Sequence, residues 1–159
     1  DVETYLSLIK LSDDAFKDMV EYFKNVDEPT VIFMTGDHQP RINDASMNAL
    51  TKGQYKNWND EEMMRHRYAI PFMIWANYDI EAASNVETSA NYLGSHVLRA
   101  AGLPLYDYRN YLSQLEGQYP VLTAIRAENA QGISTPVKDV KSTLQDYMTL
   151  QYYNIFSQK

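Results

Sequence analysis

The stretch Val31-Ile32-Phe33-Met34-Thr35-Gly36-Asp37-His38-Gln39-Pro40 decides how the rest of the chain is read. Four apolar residues in succession, two of them β-branched, follow Pro29 and run toward a glycine. That pattern fits a short buried strand better than a single helical turn. Gly36 reaches backbone conformations that other residues resist, so a sharp turn is expected there, leaving Asp37 and His38 in the loop at the carboxyl end of the strand. In open α/β sheets that end is where ligands bind. A carboxylate beside an imidazole suits zinc, manganese or a similar divalent ion. Side chains of adjacent strand residues point to opposite faces, so the pair converges on one ion only if the strand has already given way to a turn. A plainer reading stands beside this one, since two ligands do not complete a site of about four: Asp37 caps a turn and His38 is a surface histidine.

Composition bounds what the rest can be. A chain of 159 residues, 45% of them apolar, fits one domain with a core of its own. It has no apolar run approaching the roughly 18 residues of a membrane span, and its first residues are not expected to act as a signal peptide. The absence of cysteine excludes a disulfide framework and a zinc ribbon. A formal net charge of -7 argues against electrostatic binding of nucleic acid or of an anionic membrane. An anionic phosphate substrate would need a metal ion to offset that field. The chain begins Asp1-Val2-Glu3 without an initiator methionine, and it reads as an excised or processed piece.

On the amino-terminal side, residues 2–24 read as helical. Phe16, Met19, Val20 and Phe23 follow three-four spacing, and Tyr5, Leu8 and Ile9 extend the same face. Ser12 and Asp13 interrupt it, either as a cap between two shorter helices or as polar groups beneath a site. On the other side, Pro40 to Asp60 is polar and weakly periodic, the character of a substrate loop with room for a short helix. Arg41, Lys52 and Lys56 in it could meet phosphate or simply be solvated. Glu61 to Arg67 is expected to form a short helix; its His66 could be another ligand, but nothing in the sequence fixes it near Asp37, and an exposed or capping histidine is the plainer reading. Tyr68 to Ala76 is strand-like, Pro71 being tolerated only near its start or at an edge.

Beyond Asn77-Tyr78-Asp79, Thr88 or Ser89 is expected to cap a helix whose Ala90, Leu93, Val97, Leu98 and Ala101 share a face, stopped by Gly102 and Pro104. His96 in this helix reads as structural. A further helix carries Tyr108, Tyr111, Leu112 and Leu115. Residues 120–125 and 133–137 are expected to form a hairpin around Asn129 to Gly132, and a last helix runs from about Lys138 with Val140, Leu144 and Tyr147 inward. The 13 tyrosines could stack on sugar rings, but at helical spacing they fit a core with hydroxyls at its rim. This order of elements predicts an α/β layered fold. Two main strands are few for so many helices, so partner strands are expected in sequence preceding Asp1.

The run Thr30 to Pro40, centred on Gly36-Asp37-His38-Gln39-Pro40, resembles the metal-binding segment of the sulfatase-like branch of the alkaline phosphatase superfamily, particularly its lipoteichoic acid synthase and phosphoglycerol transferase group. Tyr5 to Asp13 is similar to the family's preceding helix, Tyr68 to Asp79 to its next strand, and Leu150-Gln-Tyr-Tyr153 to its tail. The resemblance implies a partial alkaline-phosphatase-like α/β/α sandwich, with residues 1–159 the carboxyl-terminal part of a larger catalytic domain. It makes Asp37 and His38 ligands of a divalent ion: manganese, magnesium, zinc or calcium.

In such proteins a threonine, serine or modified cysteine attacks phosphorus or sulfur, and the covalent intermediate passes to an acceptor or to water. No residue here matches that nucleophile, which is expected upstream, so the isolated chain is expected to be inactive and to bind metal weakly. By resemblance the parent is an enzyme on the extracytoplasmic face of the cell membrane, anchored through a segment outside this sequence. Its substrate would be glycolipid or wall-polymer phosphoglycerol, or alternatively a sulfate ester. The competing class is a non-catalytic extracellular module that binds a glycan or a protein.

Overall fold

The computed structural model describes residues 2–157. The chain divides into two compact units, Asp1–Asp79 and Ile80–Lys159. Among the described residues there are six α-helices and two small antiparallel sheets, so the α/β class read from the element order is the class observed.

The first unit opens on α1 (Val2–Phe23), a single unbroken helix. Ser12 does not cap a second helix, because its hydroxyl donates to the Leu8 carbonyl one turn back and is absorbed within the helix. A linker then leads into β1 (Val31–Thr35), which pairs antiparallel with β2 (Phe72–Ala76) in a register running from Val31↔Ala76 to Thr35↔Phe72. Pro71 stands immediately before β2, where its missing N–H costs the ladder nothing. The buried strand expected at 31–34 is only half realised: Phe33 and Met34 are each 37% exposed. The reason is that the ribbon has two strands and no further neighbour among the described residues.

One side chain clasps this unit. Asn77, at the end of β2, accepts from the Thr30 N–H at 2.8 Å. Its amide nitrogen lies 3.2, 2.8 and 3.0 Å from the carbonyls of Phe23, Val26 and Glu28. The carboxyl end of α1, the linker and the start of β1 are thereby tied to β2.

Between the strands the chain makes α2 (Asp44–Leu50), a 3₁₀ turn at Gln54–Asn57 and α3 (Asp60–Tyr68). Residues that look like loop formers in the sequence are helix caps here. The Asn43 side chain accepts from Ser46 N–H, and Asn59 with Glu62 forms a reciprocal capping box that satisfies two amide groups of α3.

The second unit holds every fully buried side chain among the described residues. It consists of α4 (Ala90–Ala100), α5 (Asp107–Gln118), the sheet β3 (Val121–Leu122), β4 (Arg126–Glu128) and β5 (Ser134–Pro136), and α6 (Gln145–Phe156). Tyr92, Leu112, Leu115, Leu122, Ala127 and Leu144 form the core. Helix α4 ends as expected at Gly102, whose φ of 67° is the left-handed conformation glycine adopts without a Cβ penalty. The Leu103 N–H donates to Leu98 O and the Gly102 N–H to Arg99 O, the double closure of a Schellman motif.

Three expectations for this unit are corrected. The most buried positions of α4 are Tyr92 and Ser95, whereas Ala90 is exposed. The hairpin around Asn129 to Gly132 forms, but β5 pairs with β4 rather than with the 120–125 segment, and that segment supplies a third strand on the far side of β4. The last helix begins at Gln145, residues Val137–Asp139 being a separate 3₁₀ turn. Val140 and Tyr147 still pack against the core beside Leu144.

Candidate functional site

Strand β1 ends at Thr35, and Gly36 to Pro40 follow as irregular backbone. The turn needed to bring Asp37 and His38 together is therefore present, although Gly36 does not make it through a left-handed conformation: the positive-φ glycines are Gly53, Gly102 and Gly132. Gly36 serves instead where the loop passes close to the end of the excursion. A Cβ there would stand 3.4 Å from both Ile70 Cβ and Pro71 Cδ, and the Gly36 N–H donates to the Pro71 carbonyl at 3.0 Å. The Gln39 side-chain amide donates to the Ala69 carbonyl. The loop is thus pinned at two points to the junction between α3 and β2, a tether across 30 residues that no local sequence signal announces.

Within the loop the two candidate ligands are oriented by backbone. The His38 N–H donates to Asp37 Oδ1 at 2.8 Å, and this hydrogen bond, with Asp37's own backbone N–H second and the nearby imidazole third, holds the Asp37 carboxyl below the usual carboxylate range. Asp37 is therefore ionised at neutral pH. His38 Nδ1 lies 3.0 Å from the Gln39 carbonyl oxygen. A carbonyl only accepts, so Nδ1 carries the proton and a neutral His38 ring has its lone pair on Nε2. That nitrogen is 3.5 Å from Asp37 Oδ2. Two lone-pair-bearing atoms at this distance repel one another unless a proton or a cation lies between them.

The donor set fits a divalent ion in part. Two ligands bonded to one tetrahedral ion at about 2.1 Å lie ~3.4 Å apart, close to the spacing found. A backbone carbonyl that fixes the imidazole tautomer is also what metal-ligating histidines commonly have behind them. Both side chains are open to solvent, at 87% and 79% exposure. Among the described residues no group of three or more His, Asp or Glu is placed to hold an ion, so these two side chains do not complete a coordination sphere.

The other candidates fall elsewhere. His66 stacks on Trp58, with ring centroids 4.0 Å apart and planes within 13°. His96 is structural, as read: its Nε2 lies 2.6 Å from Glu116 Oε1, which also accepts from the Thr88 hydroxyl. Arg41 lines an open cleft of about 530 Å³ with Val2, Glu3, Ile42, Asn43 and Ser46. Lys52 and Lys56 are exposed on the excursion. What sequence reasoning missed is the ring cluster of Tyr55, Trp58 and His66. Its one visible signal was an unplaced tryptophan in a polar passage.

The sulfatase family profile matches residues 1–103, a span that takes in the whole loop, β2 and α4, and the chain belongs to that family. Domains of this family generally use divalent metal ions. Among its relatives is a curated protein of Rhizobium meliloti (strain 1021) named "Putative cyclic beta-1,2-glucan modification protein", 25% identical over a 162-residue alignment. The alignment takes in 98% of this chain but 25% of the relative, so the chain spans about a quarter of that protein's length. No solved structure matches the chain significantly. No helix among the described residues is long and apolar enough to cross a membrane.

Proposed function

We propose that the chain is the carboxyl-terminal, metal-ligating part of a sulfatase-family catalytic domain that transfers or hydrolyses a phosphate or sulfate ester, phosphoglycerol transfer to a glucan being the reaction favoured. The observation that carries this reading is the Asp37–His38 pair: an ionised carboxylate oxygen and an imidazole nitrogen 3.5 Å apart at the carboxyl end of a strand. Family membership supports it, and the relative's name supports the glucan as acceptor. Asp37 Oδ2 and His38 Nε2 would hold the ion, with Gln39 O keeping the imidazole in the required tautomer. A bound divalent ion lowers the pKa of an attacking hydroxyl and offsets charge on the transferred group.

The remaining ligands and the nucleophile belong, in this reading, to sequence outside these residues. An anchored parent, working on the extracytoplasmic side of the membrane, is part of the same proposal. The ribbon β1–β2 supports a larger domain: nine of its ten residues are apolar, so both its faces ask for cover, and both its edges are open among the described residues.

The test is activity of the longer protein carrying Asp37→Ala or His38→Ala. Each substitution is expected to lower turnover by about 100-fold or more, beyond the loss that removing a ligand's supporting partner causes, with circular dichroism unchanged. Full turnover by both variants overturns the metal reading and leaves a binding module as the better account.

A further inference from the structure

We propose that Tyr55, Trp58 and His66 form a saccharide-binding platform that stacks a neutral pyranose ring of a glucan beside the Asp37–His38 loop. The inference rests on the proposed function for its substrate class and adds to it a place where the sugar itself is held.

The ring geometry comes first. Trp58 lies between two neighbours: His66 parallel to it at 4.0 Å, and Tyr55 edge-on at 5.7 Å and 69°. These rings are not core. The first unit contains no buried residue among those described, Trp58 is half-buried and His66 is exposed. Of the stacked pair His66 is the exposed ring, and its partner Trp58 holds it in place, so a ligand meets the imidazole face with little ordering cost.

The chemistry of that surface matches a sugar. The axial C–H face of a pyranose is apolar with slightly positive hydrogens, which complements the negative face of an aromatic ring. Its equatorial hydroxyls need donors and acceptors: the Tyr55 hydroxyl, whose proton goes to Asp44 Oδ1 at 2.8 Å, still accepts, and Asn57 and Arg67, neighbours of the rings in sequence, are exposed. A nucleic acid base would also stack, but its phosphates meet a chain of net charge -7. A glucan carries no such charge.

Position supplies the third argument. His66 stands on the last turn of α3, and the next residue but two, Ala69, accepts the Gln39 amide from the metal-binding loop. A sugar held on the platform is therefore held by an element fastened to the loop, where a group transferred to that sugar would be delivered.

The test is a titration of the chain with cyclic β-1,2-glucan in the presence of a chelator, followed by NMR of the Trp58 indole and His66 imidazole. Saturable binding is expected, with both rings shifting. Trp58→Ala and His66→Ala should each weaken it by about tenfold, the size of one lost ring stack, while Trp58→Phe keeps most of the affinity. No saturable binding, or binding that survives both alanine substitutions, overturns the platform. If Trp58→Ala unfolds the chain, the exposed His66 decides alone. Because the metal is chelated throughout, a failure of the ester-transfer reading does not alter this result, nor does failure of the platform bear on Asp37 and His38.

Discussion

At the scale of single residues, the first unit depends on groups whose partners lie far away in sequence. Asn77 is the plainest case, because one amide side chain serves an N–H and three carbonyls from residues 47 to 54 positions earlier. A net hydrogen bond contributes about 1 kcal/mol, and an abandoned half-buried partner costs more, so Asn77→Ala is expected to destabilise this unit by about 2–3 kcal/mol. Asn77→Asp should be worse, since a carboxylate turns an oxygen toward three carbonyl oxygens and donates to none. Urea denaturation of both variants checks the order, and an aspartate milder than the alanine would contradict the clasp. Asp37 and His38 stand out in the sequence as candidates because their signal is local: a strand, a glycine and two ligand-type side chains in succession. Asn77 was legible only as a strand terminator, since nothing nearby in sequence reveals contacts across some fifty residues.

At the scale of elements, the clearest punctuation was read correctly and the cooperative details were not. Gly102 with Pro104 stops α4, and Asn129 with Gly132 turns β4 into β5, because each is a backbone requirement satisfied within a few residues. Strands of two and three residues leave no periodicity to find, which is why β3 and β4 were not resolved as separate strands. Ser89 looks like a helix cap and occupies the N-cap position, yet its hydroxyl accepts from the buried Leu122 N–H at 2.6 Å instead of bonding α4. Ser89→Ala therefore leaves a buried amide unpaired and is expected to cost about 1–3 kcal/mol, more than a solvent-exposed cap would.

The contact between α4 and α5 is expected to respond to pH through Glu116. Burial alone pushes the Glu116 carboxyl up, and the hydrogen bonds from His96 and Thr88 more than offset it, leaving it below its usual 4.5. A carboxyl depressed in the folded state contributes stability above that value and loses it as the pH falls through the folded pKa. The melting temperature should thus fall on acidification below about pH 4.5. Glu116→Gln should flatten that part of the profile, and a profile identical to the parent's would exclude Glu116 as its source.

At the scale of the whole molecule, the two units differ in how much they bury. All the buried side chains described lie in the second unit, while the first leaves Leu6, Leu8, Leu11, Phe33 and Met34 exposed. Local opening follows burial, so amides of β1 and β2 are expected to exchange with solvent at least about tenfold faster than those of α4 and α5, as hydrogen-exchange NMR would record. Equal protection in both would contradict this. The same exposure accords with the proposal of a larger catalytic domain around the β1–β2 ribbon.

The central claim, that Asp37 and His38 take a divalent ion, is tested most directly by titrating manganese into the isotope-labelled chain and following paramagnetic broadening. The account expects weak binding, with the His38 ring and Asp37 carboxyl signals broadened first and the effect abolished by His38→Ala. Broadening that spreads evenly over His66, His96 and the acidic surface, or that persists in His38→Ala, would contradict it.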